Sequence, residues 1–188
     1  MVLYILPTPM NKLDVKQRVS GWQFVPLERK AKQQWKPMLA QLKDKEIGYV
    51  VSSDFDSEAA RIAGNELHVP VKSDFSFRRF NFGRHHASKL DAVADILGQL
   101  ENKWKTNADI PIKGGDSLTS FMKRFARRFN TLMSATGTAL LVTDPLTIAA
   151  IRDGLDAHSL VPNGKPVARN KVFKVSNLQE TAGARPRS

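Results

Sequence analysis

The side chains that could carry chemistry are few and scattered. There are four histidines, at positions 68, 85, 86 and 158, and no cysteine. His68 stands before Val69-Pro70 in what reads as a helix-to-strand turn, and His158 falls in a loop. Neither belongs to a cluster that could relay a proton or bind a metal. His85 and His86 follow Gly83, with Arg84 before them and Lys89 close behind, a polar run suited to solvent or to ligand contact rather than to nucleophilic attack. Asp54 and Asp56, one residue apart beyond an apolar run, could in principle share nucleophile and metal-binding work. Ser52-Ser53 interrupts that run, however, so Asp54 is better explained as a turn or helix-capping residue. Thiolate chemistry and disulfides are excluded, and no cofactor or metal-ligand spacing appears elsewhere.

The elements that would position these residues alternate between strand and helix. Leu3–Leu6 reads as a short buried strand ended by Pro7-Thr8-Pro9, and Tyr49–Val51 and Thr138–Val142 as two more. Helices are predicted over 27–45, 56–67, 89–104, 117–133 and 146–155 from apolar residues recurring at helical spacing. The 117–133 helix is the strongest: Leu118, Phe121, Phe125, Phe129 and Leu132 share one face. Lys123, Arg124, Arg127 and Arg128 fall opposite, as a solvated basic face. Phe75–Gly83 is expected to be extended, with its phenylalanines in the core, and Lys171–Val175 alternates like an edge strand. The pattern implies a three-layer α/β/α sandwich with a largely parallel central sheet, one domain over residues 1–180 and a mobile basic tail over 181–188. Ligands of such folds sit at the carboxyl ends of the strands. That rule points to the segments after Leu6, after Ser53, around Gly83 and after Thr143.

Composition narrows the class further. Hydrophobic residues make up 41% and charged residues 25%, a globular balance. No apolar run is long enough to span a bilayer, and Met1–Leu6 lacks the basic leader of a signal peptide, so a soluble, cytoplasmic chain is expected. Lys and Arg total 29 against 18 acids, a net charge of +11. Such a surface favours a protein partner with acidic character or a polyanion, nucleic acid included.

At the four strand-end segments the sequence resembles the histidine phosphatase superfamily, the phosphoglycerate mutase-like group. Gly21-Trp22 followed by Pro26-Leu27, Ser52-Ser-Asp-Phe55, Phe77-Arg-Arg-Phe-Asn-Phe-Gly83, Gly114-Gly-Asp-Ser117 and Leu140-Leu-Val-Thr-Asp-Pro145 follow that group's motifs in order. Scaffold positions such as Gly21, Trp22, Ser53, Asp54, Phe82, Gly83 and Ser117 are retained. The positions that would carry chemistry are not. The resemblance puts the first motif's Arg, His and Gly at Pro7, Thr8 and Pro9, the second Arg at Ser57, the acid at Arg79 and the last His at Asp144. A phosphohistidine reaction needs a neutral imidazole and several cations around the phosphoryl group. With that set replaced, the resemblance implies a pseudoenzyme that binds a partner without a cofactor, around a vestigial pocket.

Two finer expectations follow. Arg79 and Asp144 replace an acid and a base across the former pocket and could form an ion pair that plugs it. Arg78, Arg79, Arg84, His85, His86 and Lys89 would form the binding surface at its mouth. Two other chemistries meet obstacles. Thr8 would need Asp144 as its base to act as a nucleophile. Asp54 and Asp56 resemble the paired aspartates of haloacid dehalogenase-type phosphatases, but Ser57-Glu58 stands where Gly-Thr is expected.

Overall fold

The computed structural model describes residues 1–94, 112–154 and 169–176. Five strands form one sheet: β1 (Val2–Pro7), β2 (Tyr49–Ser52), β3 (Val71–Ser73), β4 (Thr138–Thr143) and β5 (Phe173–Ser176), in the order β3-β2-β4-β1-β5. The first four are mutually parallel, and β5 closes the β1 edge antiparallel. The strand expected near Lys171–Val175 is this edge strand, starting two residues later. The helices are α1 (Lys12–Val15), α2 (Arg29–Ala40), α3 (Ser57–Leu67), α4 (Leu118–Met133) and α5 (Pro145–Gly154).

Period-two alternation of the strands divides the core between the two faces of the sheet. Leu6, Val50, Leu140 and Val142 pack with Trp35 and Leu39 of α2 and Ala59, Ala60 and Ala63 of α3. Leu3, Ile5, Val51 and Leu141 point the other way, onto Phe125 and Phe129 of α4 and Ile148 and Ile151 of α5. Helix α3 can lie close to the sheet because Gly64 has no side chain; a Cβ there would stand 2.5 Å from Val71 Cγ2.

Three expectations need correction. The 27–45 helix stops at Ala40: Pro37, which lacks an N–H, lies inside α2, and a separate tight turn follows at 43–45. The 75–83 segment is not extended. It begins with a 3-10 turn at Phe75–Phe77, and another, Gly83–His85, follows it. Its phenylalanines nevertheless enter the core as expected: Phe77, Phe80 and Phe82 are buried, while Phe75 is exposed. The basic face of α4 is only half solvated. Lys123 and Arg127 are exposed, but Arg128 pairs with Asp74. Arg124 bonds Asp116 at 2.9 Å and the carbonyls of Ser76 and Arg78 at 3.1 and 2.8 Å. Of the 89–104 helix only its start is described, and the tail from 181 lies outside the described residues.

Those arginines hold the 74–83 segment over the carboxyl ends of the strands. Backbone packing completes the attachment. Gly83 is left-handed, at φ +51°, and a Cβ on Gly115 would stand 2.3 Å from the Asn81 carbonyl oxygen. Only glycine permits so close an approach. Asp116 then accepts from the Asn81 amide at 2.9 Å, which ties the Gly-Gly-Asp-Ser run to the segment that carries Arg79.

Candidate functional site

At the carboxyl ends of β1 and β4 lies a cleft of about 410 Å³. Its floor is built from the two strand-end loops. Thr8 is buried and donates its backbone N–H to the Thr143 carbonyl at 2.8 Å, so the sheet ladder extends one residue past β1. The Pro7 carbonyl accepts from Trp35 Nε1 at 2.9 Å. The Thr8 carbonyl accepts from Arg169 at 2.8 Å. Asp144 stands at the start of α5, where its carboxylate accepts from the Leu146 and Thr147 amides at 3.0 and 3.2 Å and from the Thr147 hydroxyl. It is a helix N-cap, the position where a carboxylate satisfies otherwise orphaned amides and meets the positive end of the helix dipole.

Arg79 enters from the 74–83 segment. One terminal nitrogen donates to Ser20 Oγ at 2.7 Å, the other pairs with Asp56, and its Nε is buried without a partner among the described residues. The expected Arg79–Asp144 ion pair is therefore replaced by Arg79–Asp56: Asp144 is committed to capping α5, while Asp56 sits buried just before α3 and also accepts from Ser53 Oγ at 2.7 Å. Burial works against the Arg79 cation, but Asp56 and Asp144 outweigh it and hold the guanidinium above its ordinary pKa. Burial pushes the Asp56 carboxyl up, with Arg79 and the Ser53 hydroxyl pulling it back.

A backbone ladder forms one wall. The Leu90 amide bonds the Gln17 carbonyl, Ala87 bonds Val19 and Val19 bonds Ser88, each at 2.9 Å. His86 Nδ1 accepts from the Gly21 amide at 3.1 Å, which requires an unprotonated nitrogen. Burial, assisted by the Arg79 charge, lowers the His86 pKa below its ordinary value and favours that state.

The structure thus gathers Thr8, Arg79 and Asp144 at one cleft, as the strand-end rule anticipated. Ser57 is not among them: it is exposed at the start of α3 and borders a separate surface depression with Phe24, Glu58 and Arg61. Arg78 is engaged by Asp54, and its guanidinium lies 4.8 Å from the Trp22 ring centre and 4.6 Å from that of Phe55. Arg84 and Lys89 are exposed, and His85 and His86 half-buried. Sequence reasoning missed Arg18, Arg169 and Asp14, and weighed Asp56 only beside Asp54, not as the partner of Arg79. Arg18 and Arg169 belong to no motif, and only the packing that brings both to the cleft marks them. Among the described residues no cluster of His, Cys, Asp or Glu could hold a metal, and no helix is long and apolar enough to cross a membrane.

The model of the histidine phosphatase superfamily, branch 1, matches residues 10–161. The chain belongs to this superfamily. The match begins just beyond Pro7-Thr8-Pro9. The mycobacterial glucosyl-3-phosphoglycerate phosphatase solved with VO3 is similar with a TM-score of 0.79 at 17% identity, over 93% of this chain and 90% of that one. YhfR of Bacillus stearothermophilus gives 0.77 at 18% identity, over 92% and 89%. The alpha-ribazole phosphatase of Shigella flexneri gives 0.72 at 17% identity, over 93% and 89%. At such identities the superfamily fold is shared. No curated protein is significantly similar in sequence.

Proposed function

We propose that this histidine phosphatase superfamily member is a pseudophosphatase, which binds at the strand-end cleft and does not transfer phosphate. The observation that carries the reading is the occupancy of the floor. Asp144 is used as a helix cap, and the Arg79 guanidinium is neutralised by Asp56. Thr8 meets no imidazole or carboxylate among the described contacts that could take its proton. Phosphoryl transfer needs an activated nucleophile and uncompensated positive charge around the transferring group. Thr8 has no such activating base among the described residues, and the Arg79 cation at the floor is already paired. The partner we favour is a protein, met through Arg84, His85 and Lys89 on the segment forming the cleft wall, with Arg78 and His86 behind them. The polyanion alternative gains little here, since Arg78, Arg124 and Arg128 are each paired with a carboxylate.

The test is turnover of generic phosphate monoesters by the full chain, with trapping of any phosphorylated protein. The expected result is no turnover above buffer and no phosphoprotein. Robust turnover that disappears on Thr8→Ala or Asp144→Ala would overturn the proposal.

A further inference from the structure

Three arginines and two aspartates line the cleft: Arg18, Arg79, Arg169, Asp14 and Asp144. Most of this charge is cancelled in place. Arg169 lies 3.1 Å from Asp14 Oδ2, and Arg79 pairs with Asp56 behind the wall. Arg18 and Asp144 remain. Arg18 donates from Nη1 to the Ala87 carbonyl at 2.6 Å and meets no carboxylate among the described residues. A guanidinium carries five N–H donors, so most of this one's are unused by the described residues. Asp144 accepts three hydrogen bonds and meets no cation within ion-pairing distance among the described residues. A carboxylate offers about four lone-pair sites, which leaves one. The buried Arg79 Nε is a further donor with nothing to bond in the described structure.

The remaining walls are apolar: Met10, Val19, Phe80, Phe82, Leu90 and Leu146. Gln17 and Ala87, with φ of 54° and 62°, occupy the left-handed region; Gln17 is where the chain leaves α1, its amide and that of Arg18 bonding back to the Asp14 and Leu13 carbonyls. Gln17 lines the cleft, and the Ala87 carbonyl is what orients Arg18.

The geometry points to a zwitterionic ligand of the amino-acid class with an apolar side chain, its carboxylate on Arg18 and its ammonium on Asp144. This rests on the reading of the cleft as a binding site and adds a small ligand inside it to the protein met at its wall. A phosphate dianion is the wrong complement, because among the described residues a single unpaired cation would face it with the Asp144 carboxylate alongside. The cleft volume of about 410 Å³ falls within the range of small-molecule pockets.

Calorimetric titration of the full chain with L-phenylalanine, L-leucine, 3-phenylpropionate, 2-phenylethylamine and inorganic phosphate tests this. The amino acids should bind saturably. Loss of either charge should weaken binding about tenfold or more, and phosphate should not compete. Arg18→Gln should weaken L-phenylalanine and 3-phenylpropionate while sparing 2-phenylethylamine. Asp144→Asn, which retains a helix-capping side chain, should do the reverse, and thermal melts would confirm that both variants fold. If neither amino acid binds the folded wild type, if the two single-charge analogues bind as well as L-phenylalanine, or if phosphate displaces it, the inference is wrong. Ester turnover is a separate readout: it would sink the pseudophosphatase reading, whereas an inactive protein that ignores amino acids sinks only this one.

Discussion

Replacing Asp56 by alanine probes the ion pair that takes the place of the expected Arg79–Asp144 contact. Asp56 is 4% exposed and Arg79 8%, so the substitution strands a buried guanidinium and removes the acceptor of the Ser53 hydroxyl. Breaking one side of a buried pair costs about 3–5 kcal/mol. Asp144 lines the same cleft and already stabilises the Arg79 cation, so the lower end, about 3 kcal/mol, is expected. In a chain of this size that lowers the melting temperature by about 6–12 °C. Arg79→Met alone should cost a similar amount, because Asp56 is then the stranded charge. The double variant Asp56→Leu/Arg79→Met should recover most of the loss, since apolar replacement of a buried pair is often neutral. Urea denaturation of wild type, both single variants and the double variant closes the cycle. Additive losses, or a single-variant cost below about 1 kcal/mol, the value typical of an exposed pair, would refute the reasoning.

Three further outcomes are expected. Gly115→Ala places a Cβ against the Asn81 carbonyl and 2.8 Å from the Gly83 amide nitrogen; backbone cannot yield as a side chain can, and a loss of about 2–3 kcal/mol should appear in the urea midpoint. Phe125→Ala removes a ring that lies 5.5 Å from Phe77 and 5.6 Å from Phe129, centre to centre, and should cost about 3–5 kcal/mol by the same measurement. Protonation of His86 is disfavoured in the folded state, so its contribution is fully present above the unfolded pKa and fades as pH falls through the lowered folded value. Wild type should therefore lose more stability than His86→Gln between about pH 7 and pH 5, where an unperturbed histidine titrates; parallel stability curves would contradict this.

The order of elements was legible in the sequence because it depends on local patterning. Leu3–Leu6, Tyr49–Val51 and Thr138–Val142 are apolar runs bounded by glycine or proline, and they are the three central strands. Ser117 announces α4 and accepts from the Ser120 amide at 3.1 Å as its cap. Family motifs carried the reading further, placing Thr8, Arg79 and Asp144 near one another although more than 130 residues separate the first from the last. The 75–83 segment misled, because alternating phenylalanine and arginine suit a strand as well as two tight turns. The choice was made by Arg124 and Arg128, which bond that segment from a helix some fifty residues away.

Charge pairing is where sequence reasoning stopped. The types of the residues at Pro7, Thr8, Ser57, Arg79 and Asp144 can be read off the sequence one by one. Which carboxylate meets Arg79 cannot. Asp144 follows its strand directly and is taken up as the cap of α5, whereas Asp56 lies four residues past β2 and, although it precedes α3, makes no capping bond and is left to the guanidinium. The same holds for the cleft itself, where Arg18 and Asp144 are the cation and anion left without an ion-pair partner among the described residues. An ion pair depends on distances of a few ångströms between distant segments, and only the packed sheet with its covering segment sets those distances.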